Sequence, residues 1–350
     1  MVSPNESWDR AVQRHITLEF LDINLRGAGQ AMFQGNTLSG LLIFIGIFWG
    51  AIAAHTIEVA IGAVVGLIVA TVTGMLLNSD DISMRKGLYG YNGILVGAAT
   101  PTVLSGGVTM WVYLVVGAAA STVVFMGTAN VFKTWGVAAL TFPFNLVNWT
   151  ILLATFQFPA GSSVLTGSAH FPQHVAHHSW YADVTFCYLW NTVFRNVSQI
   201  FLINNTVTGV ILVTALLVAS GWAALFALIG SAVALSAVLA LGVNSVAVGN
   251  GIYGFNSVLT AIALGSVFYR PSWRVMIYSV FGVLFTVGVH AALTSAFAPF
   301  SLPTFTGPFV FATWLFLLPK KELTPVQHDT IPGGAAEPRS TTPRRGKTSC

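Results

Sequence analysis

Gly87-Leu-Tyr-Gly-Tyr-Asn-Gly-Ile-Leu-Val-Gly97 is apolar enough for a membrane interior, yet its first seven residues hold three glycines, two tyrosines and an asparagine. A similar run recurs as Gly251-Ile-Tyr-Gly-Phe-Asn-Ser-Val-Leu-Thr-Ala261. A polar, glycine-studded hydrophobic segment that occurs once per half is the sequence mark of a site formed between two transporter repeats.

The composition around these runs agrees with a membrane setting. Hydrophobic residues make up 55% of the chain and charged ones 7%, with a mean hydropathy of +0.75. A soluble domain carries roughly 25% charged residues because its surface faces water. This chain must present most of its surface to lipid, so the sequence specifies an all-α polytopic membrane protein. The net charge of +4 is small and scattered, which excludes a nucleic-acid partner. Arg10, Arg14, Lys320, Lys321, Arg339, Arg344, Arg345 and Lys347 lie at the two ends and read as cytoplasmic anchors. Cys187 and Cys350 give no disulfide argument, and the start lacks the pattern of a cleaved signal peptide.

Taken in order, residues 1–16 read as a cytoplasmic arm, 17–157 as a first repeat and 158–182 as a polar linker containing histidines. Residues 183–319 form a second repeat, and 320–350 a disordered cytoplasmic tail rich in Pro, Thr, Gly and charge. Glu19, Asp22 and Arg26 make the start of the first repeat interfacial. Apolar runs at 37–53, 56–77, 108–129 and 135–157 approach the ~20 residues needed to cross the hydrocarbon core. Similar runs lie at 185–203, 206–220, 222–243, 251–268, 275–296 and 303–319. The run opening at Gly87 is shorter, stopped by Thr100-Pro101 and the Ser105-Gly106-Gly107 break, and reads as a tilted or re-entrant pore helix. No Lys or Arg lies between Lys133 and Arg195, which places the linker outside the cytoplasm. With the start inside, the first half then crosses an odd number of times and the second half is inverted.

Three landmarks test the duplication. Gln30-Ala-Met-Phe33-Gln-Gly-Asn36-Thr-Leu-Ser-Gly40 pairs with Gln199-Ile-Phe-Leu202-Ile-Asn-Asn205-Thr-Val-Thr-Gly209 at an offset of 199 − 30 = 169. Gly87 pairs with Gly251 at 164, and Thr141-Phe-Pro143 with Thr306-Gly-Pro308 at 165. Glutamine offers two donors and an acceptor, suited to a small neutral amide and costly in an apolar segment unless paired. Each threonine, before a proline near the end of a hydrophobic run, supplies a hydroxyl, and the proline frees an upstream carbonyl. Tyr91 and Leu95, like Phe255 and Leu259, stand four apart on one helix face, forming flat apolar walls that suit a planar solute. A lone Gln or Thr in a membrane helix is commonly interhelical glue. Here each comes as one of a symmetric pair.

These paired motifs resemble the urea transporter family, as a bacterial member, over roughly residues 20–319. The resemblance implies a homotrimer in the cell (inner) membrane. Each protomer would hold two inverted-topology repeats, each of about five transmembrane helices plus a tilted pore helix, around one pore. It carries pore amides onto Gln30 and Gln199, and pore threonines onto Thr141 and Thr306. The slot walls fall on Phe33, Tyr91 and Leu95 in one half, and on Leu202, Phe255 and Leu259 in the other. Tyr91 stands where Phe is more usual. The implied function is facilitative, channel-like passage of urea past Gln, Thr and backbone carbonyls, with no catalysis, cofactor or metal and with the lipid bilayer as surroundings.

Two alternatives remain at this stage. One is a channel of the same fold for a short amide, ammonia or water. The other is a polytopic membrane enzyme using His55, Glu58, His290 or the linker histidines His170, His174, His177 and His178.

Overall fold

The computed structural model describes residues 14–77, 79–158, 184–243 and 245–319, together with Trp8 and Val12. The linker with its four histidines, the tail and most of the arm lie outside the described residues. Within them the protein is all helix, with no strand.

The helices are α1 (Ile16–Gln30), α2 (Thr37–Ala53), α3 (Ile57–Leu76), α4 (Asp81–Arg85), α5 (Tyr91–Val103), α6 (Val108–Lys133) and α7 (Phe142–Thr155). The second half continues with α8 (Phe186–Ser198), α9 (Thr206–Ala219), α10 (Gly221–Ala240), α11 (Ser245–Gly249), α12 (Phe255–Ile262), α13 (Trp273–Phe297) and α14 (Gly307–Leu317). Each helix of the first half has its counterpart in the second, in the same order. A π-turn, Ala263–Val267, extends α12.

Helices α3, α6, α10 and α13 are long and apolar enough to cross a membrane, and the pair α8–α9, bent by 75° at its break, adds a fifth candidate. Their outward faces are apolar: Val116 of α6 and Phe281 of α13 are each 61% exposed. The interior instead holds Asn92, Asn145, Asn196, Asn256 and many Ser and Thr. An apolar exterior over a hydrogen-bonded interior is the arrangement that lipid as solvent selects. The molecule is an all-α polytopic membrane protein.

Local chemistry explains the first paired motif. The chain ends α1 at Gln30 and α8 at Ser198, with Gln199 opening a short 3-10 turn, and then passes through a left-handed residue, Phe33 (φ 64°) or Leu202 (φ 58°). Asn36 and Asn205 cap the next helix, accepting from Ser39 N and Thr208 N at 3.0 Å each; the side-chain oxygen satisfies an orphan donor of the first turn. Gly40 and Gly209 sit against the carbonyls of Leu25 and Phe194, where a Cβ would fall 1.8 and 2.0 Å away.

The halves meet reciprocally. Ser39 donates to the Ala215 carbonyl from α2, and Thr208 donates to the Gly46 carbonyl from α9. At a second contact, Trp149 Nε1 donates to Pro303 O at 3.0 Å and Trp314 Nε1 to Ala138 O at 2.8 Å. Residue i meeting j′ while j meets i′ is the signature of a two-fold relation.

Two local readings need correction. Pro101 does not stop the pore helix: α5 runs on to Val103 with Pro101 inside it. Thr141 and Thr306 stand at the starts of α7 and α14, not near the end of a run, with Pro143 and Pro308 in the first turn. A first-turn proline removes no helical hydrogen bond, so these prolines free no carbonyl.

Candidate functional site

The cores of the two halves converge on the starts of α7 and α14. Thr141 Oγ1 and Thr306 Oγ1 lie 2.6 Å apart, a hydroxyl pair bonded across the two halves. Both residues are buried. Each follows a left-handed residue, Leu140 (φ 52°) or Phe305 (φ 46°). Four non-glycine residues are thus held in the left-handed region beside the site: Phe33, Leu202, Leu140 and Phe305. Such strain costs of order 1–3 kcal/mol each and persists only where surrounding structure enforces it.

A cavity of about 240 Å³ opens on one side of the threonine pair. Its lining includes Gln30, Phe33, Tyr91 and Thr141 from the sequence-derived set, together with Lys86, Phe125, Leu140 and Phe268. No carboxylate is in this lining. Thr306 joins the group through its contact with Thr141. Leu95 and Leu259 are fully buried and, with Gln199, Leu202 and Phe255, are not in the lining of this cavity.

The glutamines are fixed in matching ways. Gln30 Nε2 donates to Lys86 O at 3.0 Å, and Gln199 Nε2 to Asn250 O at 2.8 Å. Each accepting residue immediately precedes a positive-φ glycine, Gly87 (φ 74°) or Gly251 (φ 78°). A Cβ there would lie 2.2 Å from Gly27 N or 2.6 Å from the Arg195 carbonyl carbon. Each glutamine therefore ties the end of one broken helix to the segment that leads into α5 or α12, and Gln30 lines the cavity as well. The aromatic wall is built edge to face: Phe33 meets Phe268 at 6.1 Å and Phe309 at 6.0 Å, and Tyr91 meets Phe125 at 5.5 Å.

Residues missed in the sequence carry the asymmetry. Asn145 Nδ2 donates to Thr141 O at 2.8 Å and to Thr306 Oγ1 at 2.9 Å, while its Oδ1 accepts from Thr306 N at 3.0 Å and lies 3.3 Å from Thr306 Oγ1. Its counterpart at 145 + 165 is Val310, so only one threonine hydroxyl receives an amide. The Thr306 hydroxyl therefore has an amide partner besides Thr141, and in the threonine pair either oxygen can be the donor. Asn145 stands four residues after Thr141, on the same helix face, a legible signal that went unread. Phe268 and Phe125 carried no such signal. Replacing Asn145 by valine, the residue of the other half, should lower thermal stability by about 1–3 kcal/mol through the buried Thr306 N–H it strands; an unchanged melting temperature in detergent would count against this role.

The symmetry breaks at two more places. Gly307 lets the Trp149 ring approach, with a Cβ there 3.0 Å from it, whereas Phe142 packs its own ring 5.3 Å from Trp314. His290 takes the position of Phe125 and stacks on Tyr253 at 5.3 Å, with its edge toward Phe255 at 6.3 Å. Among the described residues no three His, Cys, Asp or Glu side chains form a metal cluster.

Comparison with known proteins gives one consistent result. A family model described as urea transporter matches residues 21–321. Urea transporter 1 of Ovis aries is 32% identical over 305 residues, covering 86% of this chain and 77% of that protein. Urea transporter 1 of Rattus norvegicus is 30% identical over 310 residues, covering 87% and 78%.

Proposed function

The chain belongs to the urea transporter family, which transports and does not catalyse, and we propose that its urea path runs through the cavity beside Gln30, Phe33 and Tyr91 to the Thr141–Thr306 pair. The protein carries out facilitative transport of urea as a multi-pass membrane protein. The observation that carries the pathway reading is the threonine hydroxyl pair, bonded across the two halves at 2.6 Å where the cavity ends.

Aromatic rings line the approach and present flat faces to a planar solute. At its end two hydroxyls, each both donor and acceptor, stand where the solute must leave water. A urea molecule entering between them exchanges the inter-threonine bond for bonds of its own, so its desolvation is offset without a net charge. Selectivity then follows from width and hydrogen-bond pattern. The cavity lining has no carboxylate, which supports passive flow over proton coupling.

In the same reading the two halves are inverted repeats in the bilayer, and the pore continues on the far side past Gln199, Leu202, Leu95, Phe255 and Leu259. The protein forms a homotrimer in the cell (inner) membrane, with one path per protomer. Reciprocal contacts between the halves support the inversion.

Stopped-flow flux in proteoliposomes tests the path. Phe33→Ala removes a ring from the mouth and should raise the permeability of thiourea and methylurea relative to urea several-fold, since only size exclusion is relaxed. An unchanged ratio would take Phe33 out of the path.

A further inference from the structure

The two threonines are positioned by different donors. In the second half one side chain does two jobs: Asn256 Oδ1 accepts from Phe309 N at 3.1 Å, and its Nδ2 donates to Phe305 O at 3.0 Å. Phe305 is the left-handed residue directly before Thr306. In the first half Asn92 holds the corresponding position (256 − 92 = 164), and its Oδ1 accepts from Phe144 N at 3.2 Å, matching the first job. The second job has passed to a neighbour. The carbonyl of Leu140, the left-handed residue directly before Thr141, accepts from the Tyr91 hydroxyl. Asn92 Nδ2 is buried and has no hydrogen-bond partner. Phe255, at the position of Tyr91, has no hydroxyl to offer.

We propose that Tyr91 is a positioning residue for Thr141, its hydroxyl latching the Leu140 carbonyl as the Asn256 amide latches Phe305 for Thr306, with the Asn92 amide left as a spare donor. This rests on the reading of the threonine pair as the centre of the urea path. A non-glycine residue in the left-handed region relaxes unless something holds it. One hydrogen bond to its carbonyl does so here, and the adjoining threonine hydroxyl inherits its direction. Tyr91 also lines the cavity, so one side chain sets both the wall and the threonine beyond it.

The two asparagines therefore carry unequal loads. Asn92→Leu and Asn256→Leu each lose the bond to a first-turn amide of α7 or α14, so that loss cancels between them. Only Asn256→Leu also frees a latch. Urea flux in proteoliposomes, on protein that stays monodisperse in detergent, reads the difference. Asn256→Leu should lose on the order of tenfold more flux than Asn92→Leu, the cost of one stranded buried carbonyl. Phe255→Tyr added to Asn256→Leu transplants the latch and should restore most of that difference. Tyr91→Phe added to Asn92→Leu keeps the ring, removes both first-half donors and should reproduce the loss.

Equal losses in the two asparagine variants, or no rescue by Phe255→Tyr in folded protein, would overturn the latch. If Asn256→Leu does not fold, recovery of folded protein by Phe255→Tyr supports the latch and failure to recover it counts against it. The threonine reading fails separately: valine at both threonines with unchanged flux removes it, even where Phe255→Tyr rescues.

Discussion

Thr141→Val and Thr306→Val should each lower urea flux in proteoliposomes by about ten- to a hundredfold, as expected when a solute that has left water loses one hydrogen-bonding partner at a cost of about 1–3 kcal/mol. Valine copies the shape of threonine, so the slot keeps its width and only the hydroxyl is lost. Thr306→Val strands the buried Thr141 hydroxyl, whereas Thr141→Val leaves the Thr306 hydroxyl with Asn145; in both, urea finds one polar contact where it had two. Stability should separate the two variants. Thr141 Oγ1 bonds to Thr306 alone among the described contacts, whereas Thr306 Oγ1 also receives Asn145 Nδ2. Thr306→Val should therefore melt at a lower temperature than Thr141→Val, with flux comparably reduced in both. Unchanged flux in both would remove the threonines from the mechanism.

Gly40→Ala and Gly209→Ala should prevent recovery of monodisperse folded protein. The added carbon would lie 1.8 Å from the Leu25 carbonyl oxygen in one case and 2.0 Å from that of Phe194 in the other. Both obstacles are backbone, so no rotamer change relieves them and α2 or α9 must move off its neighbour. Overpacking a well-packed core costs about 1–3 kcal/mol even where side chains can yield, and here they cannot. Those same helices carry the reciprocal contact between the halves, so the damage spreads to the junction of the two. Gly127→Ala and Gly288→Ala are the controls: nothing lies within 4 Å of either added carbon, and helix propensity favours alanine by about 1 kcal/mol. Gel filtration in detergent reads all four. Folded Gly40→Ala protein with a native melting temperature would defeat the packing argument.

Much of the architecture was legible because the bilayer forces the sequence to declare it. Apolar runs such as 37–53 and 206–220 map onto α2 and α9 within a residue or so, since lipid admits few charged interruptions. The paired motif at Gln30 and Gln199 was legible for a different reason. Its glutamine, left-handed turn, capping asparagine and close-packed glycine each meet a separate steric or hydrogen-bonding demand, and both halves must meet all four. Less legible were the placements that depend on where the chain goes after a break. Thr141 looked like the end of a run and is the start of a helix, because the apolar stretch 135–157 hides the turn at Leu140.

What the sequence determined by itself was therefore the medium, the helices and the duplication, all of which follow from local composition and spacing. Only the tertiary structure decided which groups meet. It placed Thr141 against Thr306, gave the Thr306 hydroxyl an amide donor in Asn145 that the Thr141 hydroxyl lacks, and turned the Tyr91 hydroxyl onto Leu140 while leaving the Asn92 amide spare. Those choices depend on ångström-scale contacts between segments some 50 to 165 residues apart, and no one-dimensional pattern encodes a distance across the fold. The stretch Gly87–Gly97 illustrates the division: its glycines, tyrosines and asparagine mark a paired element in the sequence, but which of its polar groups bonds the Leu140 carbonyl was decided by packing against the start of α7.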